Sequence, residues 1–464
     1  MADLREIWRC AYENVPAQLV RVQEVRRAVT AFNTNIDAVV KISGKQLSEL
    51  ARTVDLRPED LLQTETFLFT PKDVVRGIVK CFINGIAEEW LCEDGRVYEW
   101  MRDNLGYDRL QMGGQAGIVA NVLAVLGVNE VCAHTNSLPK LQAEQFLDLP
   151  NLYAVDKNGA IGKAYSMDCA EDAPLIHQII EFDCNDVFEF ETKKYVCPKA
   201  NRFIATYDTA NIELKINNGF LKYIEKAGFD YMILSGFHNL TQARGGMARI
   251  EKIVPLVQQW KHNNPQGIIH LELASTQDKA IRKAVLHSIA PLVDSVGLNE
   301  REALDALEVT APEMFAKLQN STLTAPVLLD ILYKLKEELQ TPRIQLHFYG
   351  TYLTLQNKGF AVSPEANRRG MMLAATVAAS KAGLGNIERS ENLLWAHGKD
   401  IGDVAAENMR ALSNVLNNPK FSENGIAEYT GADLIAVPTI IVNQPKTLVG
   451  MGDTISSVSL IGAR

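Results

Sequence analysis

Apolar residues along this chain change their rhythm from segment to segment, and the changes mark out strands and helices. Short continuous apolar runs at residues 231–235, 268–273, 293–298 and 434–442 read as buried strands. Residues 29–40 read as a strand interrupted by polar positions, and 344–355 as a longer strand or a hairpin. Between them the spacing becomes helical, at 117–126, 250–261 and the small-residue run 374–382. Strands alternating with helices predict an α/β fold, a doubly wound parallel sheet with helices on both faces. Two stretches, 86–112 and 151–206, break the rhythm with β-branched runs such as Ile176-His177-Gln178-Ile179-Ile180-Glu181-Phe182. They predict a smaller β-rich lid domain inserted into the core. The expected partition is a large α/β domain from 1–37, 46–85, 113–150 and 207–464, and a discontinuous lid from 38–45, 86–112 and 151–206.

Composition narrows the function classes. With 464 residues, 47% hydrophobic and 22% charged, the chain reads as a soluble globular protein. It has no apolar run of roughly eighteen residues, and Met1-Ala2-Asp3-Leu4-Arg5-Glu6 lacks a signal-peptide core, so no membrane partner is expected. A net charge of −9 argues against a nucleic-acid surface. Seven scattered cysteines, with no C-x-x-C pair, suggest thiols in a reducing cytoplasm. Asn-Gly pairs at Asn84, Asn158, Asn218 and Asn424 lean toward a mesophilic source.

The richest chemistry lies near the C-terminus, in Leu448-Val449-Gly450-Met451-Gly452-Asp453-Thr454. Two glycines and an acid after a strand read as a tight loop opening a helix, whose first N–H groups form an anion site. A carboxylate beside that site can accept a proton from an alcohol while the N–H groups hold phosphate charge. Alone, the stretch reads equally as a glycine turn with an Asp cap. Other polar groups end strand-like runs, where ligands bind in doubly wound sheets. His270-Leu271-Glu272 and Asn299-Glu300-Arg301-Glu302 could bring three carboxylates, Glu272, Glu300 and Glu302, to one sheet edge. Oxygen ligands of that kind suit Mg²⁺. In Asn33-Thr34-Asn35-Ile36-Asp37, Asn35 and Asp37 share one strand face and suit sugar hydroxyls. Gly113-Gly114-Gln115 offers close backbone approach and an amide at a helix start, and Lys199-Ala200-Asn201-Arg202 offers charge for a phosphate.

The motifs N-x-N-x-D, G-G-Q, H-x-E, N-E-x-E and G-x-G-D, in this order, resemble the archaeal ADP-dependent sugar kinases, the ADP-dependent phosphofructokinases and glucokinases of ribokinase-like fold. The resemblance spans residues 30–460. It implies that the large domain binds nucleotide, that Asp453 is the catalytic base, and that Gly450 and Gly452 form the anion hole. It implies sugar contacts at Asn35, Asp37, Glu89, Gly114, Gln115, His177, Lys199 and Arg202, and nucleotide contacts at Asn299, Ile441 and Val442. Glu272, Glu300 and Glu302 would organise Mg²⁺ or another divalent cation, with ADP as phosphoryl donor. In Gly85-Ile86-Ala87-Glu88-Glu89 the acceptor-selecting acid is Glu89 by spacing, with Glu88 an open alternative. Arg202 is open between acceptor and donor phosphate. The implied activity is β-phosphoryl transfer from ADP to fructose 6-phosphate, giving fructose 1,6-bisphosphate and AMP. Glucose stands as an open second acceptor, and the alternatives are a dedicated ADP-dependent glucokinase or an ATP-dependent ribokinase-like kinase.

Overall fold

The computed structural model describes residues 3–92, 94–447 and 449–464, so Leu448, first of the glycine-rich stretch, lies outside the described residues, as do Met1 and Ala2. Among the described residues two larger sheets form, one of eleven strands and one of six. The large sheet is parallel through its centre. Arg343–Phe348, Ser295–Asn299, Ile268–Glu272, Tyr231–Leu234, Ala28–Ala31, Val131–Ala133 and Leu152–Val155 run side by side in that order. The expected all-parallel sheet is corrected at its margins. Thr351–Asn357, Ala432–Pro438 and Ile426–Tyr429 add antiparallel strands at one edge and Ile161–Lys163 at the other. A short turn allows the antiparallel pairing after residue 348, whereas a parallel return needs a crossover helix.

The run read as one interrupted strand is two strands in two sheets. Ala28–Ala31 ends in the large sheet, and Asn35–Lys41 begins in the small one. The polar Asn33-Thr34 interruption is the passage between them. The chain makes three more such passages: at Gly114, after Arg109–Gly113; before Ile176–Phe182; and after Asn201–Thr206. Gly114 is required here. Its φ is +72°, and a Cβ would lie 2.6 Å from the Asn33 carbonyl oxygen.

The two hydrophobic cores divide the chain differently from the expected partition. Residues 46–85 belong with the small sheet. Leu47, Val74, Val75, Ile78, Val79 and Phe82, on Gly44–Thr53 and Pro71–Asn84, are buried in one cluster with Trp90, Ile180 and Phe203. Residues 152–155 and 161–163, assigned to the lid from sequence, pair in the large sheet. Helical rhythm alone does not mark the large domain, because a six-stranded sheet also needs a helical layer to bury one of its faces. Within 86–112 a further helix, Gly95–Asn104, joins that layer. The other face of the small sheet carries Asp37, Glu89, His177, Arg202 and Thr206, fixed by strand alternation and register.

Candidate active site

The carboxyl ends of the parallel strands share one edge of the large sheet, the position at which doubly wound folds bind ligands. The helix Met451–Ile461 starts there. Gly450 caps it in the left-handed conformation, φ +61°, and Asp453 lies in its first turn. The Asp453 carboxylate accepts a hydrogen bond from Gln115 Nε2, and Gln115 Oε1 accepts one from the Gly236 N–H at 3.1 Å. Burial pushes the Asp453 carboxyl above its ordinary range, against the opposing pull of Gln115, Lys381 and His238. Gly452 packs against His347, whose Nδ1 lies 3.3 Å from Ser456 Oγ.

A second cluster forms where the chain passes between the sheets. Asn35 Nδ2 donates to Asp37 Oδ1 at 2.9 Å, while the buried Asn35 Oδ1 has no partner. Burial pushes Asp37 up to about 6, with nearby Glu89 adding to the effect and His177 opposing it. His177 Nε2 lies 3.2 Å from Asp208 Oδ2, and its Nδ1 4.0 Å from Glu89 Oε1. Burial opposes protonation of His177, but Asp208, Glu89 and Asp37 outweigh it and raise its pKa. Glu89 accepts from Thr206 Oγ1 at 2.7 Å and lies 3.9 Å from His238 Nε2. Burial would raise Glu89, yet His238 and His177 hold it below the usual range. The Glu88–Glu89 ambiguity has a geometric answer. Glu88 faces the helical layer, accepting from Lys80 Nζ at 3.0 Å and Trp90 Nε1 at 2.8 Å, and Glu89 faces the cleft.

The structure separates the two basic candidates. Arg202 is on the cleft face of its strand, close enough for its charge to act on Asp37. Lys199 is exposed beside Gly85, before that strand begins and at the end remote from Thr206.

The three acids proposed for a metal do not form a ready cage. Among the described residues, no three His, Cys, Asp or Glu side chains are placed to hold an ion directly. Glu272 Oε2 lies 3.0 Å from His270 Nε2, while Glu302 accepts from the Asn299 N–H at 2.8 Å and Glu300 from the Tyr349 N–H at 3.1 Å. Sequence spacing brought the acids to one edge but could not reveal these local bonds, of which the Glu302 bond completes a capping box. Burial and repulsion from Asp453 and Glu302 still push Glu272 well up. Glu302 rises to about 8, from burial first and then Asp453. His270 is a buried neutral imidazole, held between Ser295 and Glu272.

Asn299 caps Glu300–Thr310, its side chain accepting from the Arg301 and Glu302 N–H groups. Ile441 packs against Gly402, and Val442 against the margin of the main core. Both follow Pro438, which pairs with Thr351 at the same sheet edge as Asn299.

Sequence reasoning missed Thr206, Asp208, His238 and Lys381, and Asn239, whose side chain also hydrogen-bonds Glu89. His238 and Asn239 follow the strand-ending Ser235-Gly236, and that position was their one available signal. Lys381 was a single charge in the apolar stretch 370–384, in a helix whose start carries Glu365, Arg368 and Arg369.

Residues 26–462 match the ADP-specific phosphofructokinase/glucokinase conserved region. The chain belongs to that family. It is 32% identical to the ADP-dependent glucose/glucosamine kinase of Pyrococcus abyssi, covering 98% of each chain. It is 29% identical to the ADP-specific phosphofructokinase of Thermococcus zilligii, covering 92% of this chain and 93% of that one. A solved ADP-dependent kinase in complex with fructose 6-phosphate and ADPβS superposes with a TM-score of 0.83 at 28% identity, covering 100% of this chain and 98% of that one. The α/β sugar-kinase fold expected from sequence is thereby borne out.

Proposed function

We propose that this chain is an ADP-dependent sugar kinase that transfers the β-phosphoryl group of ADP to fructose 6-phosphate, with glucose as a second acceptor. The observation that carries this reading is the placement of Asp453. Its carboxylate is held by Gln115 in the first turn of a helix opened by Gly450. Gln115 follows Gly114, which abuts Asn35 of the polar cluster. A sugar bound on Asp37, His177 and Glu89 would present a hydroxyl to Asp453.

Asp453 accepts the hydroxyl proton as the sugar oxygen bonds to the β-phosphorus. The bond to the bridging oxygen breaks, and AMP leaves. The N–H groups at the start of Met451–Ile461 face the charge that develops on the transferred group. Little covalent chemistry is asked of the protein beyond positioning and charge stabilisation. A divalent cation would suit Glu272 and Glu302, whose ionised forms are disfavoured by burial and by Asp453, with Glu300 beside them. Mg²⁺ held there through waters would neutralise phosphate charge. On the acceptor side, Arg202 suits a sugar phosphate through its planar donor fork.

The relatives named as phosphofructokinases and the complex with fructose 6-phosphate support the first acceptor. One observation favours a glucose-first reading: Glu89, wedged between two imidazoles in the cleft, beside 32% identity to a glucose/glucosamine kinase. Among the described residues no helix is long and apolar enough to cross a membrane. Cys10, Cys81, Cys132, Cys169, Cys184 and Cys197 are free thiols, which suits the cytoplasmic location we propose. The test is a matrix of ADP and ATP against fructose 6-phosphate and glucose, with both products quantified. Turnover is expected with ADP, and faster turnover with ATP would overturn the donor assignment.

A further inference from the structure

Lys381 stands near the end of Pro364–Leu384, a helix packed along the length of Met451–Ile461. It is 6% exposed. Its ammonium lies 3.4 Å from the Gly450 carbonyl oxygen and 3.4 Å from Thr454 Oγ1. Neither contact is with a carboxylate, and a cation buried without a close counter-ion is expensive. Gly450 also accepts from the Thr454 hydroxyl at 2.6 Å. Its carbonyl is thus the point from which the left-handed turn is fixed.

We propose that Lys381 is a positioning residue for phosphoryl transfer: its ammonium anchors the Gly450 turn that aims the anion-hole N–H groups, and its charge faces Asp453 and the transferred group from behind. This rests on the reading of Asp453 as the base. The groups that act on Asp453 come from every element around it: Gln115, His238, Lys381, and the acids Glu272 and Glu302. The two acids oppose its ionised form. Gln115 is neutral, and His238 carries charge only when protonated. Lys381, lowered to about 8 by burial and supported by Asp453, keeps its proton at neutral pH.

The surroundings supply a direct test. Lys381 borders a cavity of about 220 Å³ also lined by Met112, Ile118, Asn121, Asn386 and Val449. Truncation to alanine enlarges that space and leaves room for a small amine. In Lys381→Met, which keeps the volume of the stem, kcat is expected to fall about ten- to a hundredfold, the usual worth of a hydrogen bond to a charged group. KM for ADP and sugar should stay near wild type, and the melting temperature should show that the variant is folded. In Lys381→Ala, ethylammonium chloride should restore part of kcat, whereas 1-propanol of similar size should not. Wild-type kcat in Lys381→Met overturns the proposal. So does absent rescue, or rescue by 1-propanol as good as by ethylammonium, because a packing role needs no charge. Asp453→Asn, assayed in parallel, separates the two readings. If it retains turnover, the base assignment fails. If it is inactive while Lys381→Met is active, only the role of Lys381 fails.

Discussion

The acceptor-selecting role proposed for Glu89 makes a prediction whose size its surroundings set. The carboxylate accepts from Thr206 at 2.7 Å and lies 4.0 and 3.9 Å from the imidazoles of His177 and His238. Against burial, His238 and His177 hold the Glu89 carboxyl below its ordinary range, so it is ionised at neutral pH. Glu89→Gln preserves the Thr206 bond and the shape but removes the charge. A sugar hydroxyl donating to it would drop from a charge-assisted bond of about 1.5–3 kcal/mol to a neutral one of about 0.5–1.5 kcal/mol. The loss of roughly 1–1.5 kcal/mol is about tenfold in kcat/KM for glucose. Glu89→Ala removes the contact altogether and should cost glucose about ten- to a hundredfold. With Arg202 holding the acceptor phosphate, as proposed, fructose 6-phosphate keeps that anchor and its loss should be about threefold or less. Glu88→Gln is the control, because Glu88 bonds Lys80 and Trp90 on the far face of the strand. The assay is coupled initial-rate kinetics with both acceptors. An unchanged glucose-to-fructose 6-phosphate ratio in Glu89→Gln and Glu89→Ala, or a shifted ratio in Glu88→Gln, would refute the reasoning.

The other expectations concern the base, the buried acids and the phosphate. Asp453→Asn should lower kcat by about two to four orders of magnitude while equilibrium binding of ADP persists; near-normal turnover would remove Asp453 as the base. Asp37 is raised to about 6 in the folded state from an unfolded value near 3.9. Its contribution is therefore full below about pH 4 and is lost as pH rises through 6. Asp37→Asn should flatten that slope in thermal melts and stabilise the protein at pH 7 by up to about 3 kcal/mol; a variant less stable at pH 7 than at pH 4.5 by the wild-type margin would contradict this. Glu300→Ala and Glu302→Ala should each raise the Mg²⁺ concentration for half-maximal rate, and superimposable titrations would count against a metal role. Arg202→Ala should impair fructose 6-phosphate and spare glucose if it holds the acceptor phosphate, and impair both alike if it holds the donor; unaltered kinetics with both would return it to a solvated surface charge.

How much of this was legible in the sequence depended on the range of the interaction. Tyr231–Leu234, Ile268–Glu272, Ser295–Asn299 and Ala432–Pro438 were read within a few residues because each is a continuous apolar run with no competing period. Asp453 and Gln115 were identified separately, although nothing local shows that residues 338 apart share a hydrogen bond. The partition failed at 46–85 because an amphipathic helix states which face it buries and not which sheet it buries it against. Val74, Ile78 and Phe82 would suit either core. Glu272, Glu300 and Glu302 were brought to one sheet edge correctly, but each is bonded to a group that spacing does not reveal.

The acceptor cluster shows why its partners escaped notice. Asp37 and Glu89 occupy one cleft, and isolated carboxylates there would both be destabilised by burial. Their environments drive them apart. Burial lifts Asp37 to about 6 against the pull of its bond from Asn35, whereas Glu89, flanked by His238 and His177, falls below its ordinary range. Carboxyl groups separated in this way take different roles. Glu89 remains an acceptor throughout the neutral range, and Asp37 becomes a donor under mildly acidic conditions. On the Glu89 side the lowering comes from His238, His177 and Thr206, with Asp208 raising His177; of these His238, Thr206 and Asp208 reach the cleft from segments outside every motif that pointed to it. A motif supplies the groups that touch a substrate; their protonation is set by residues that the fold alone brings beside them.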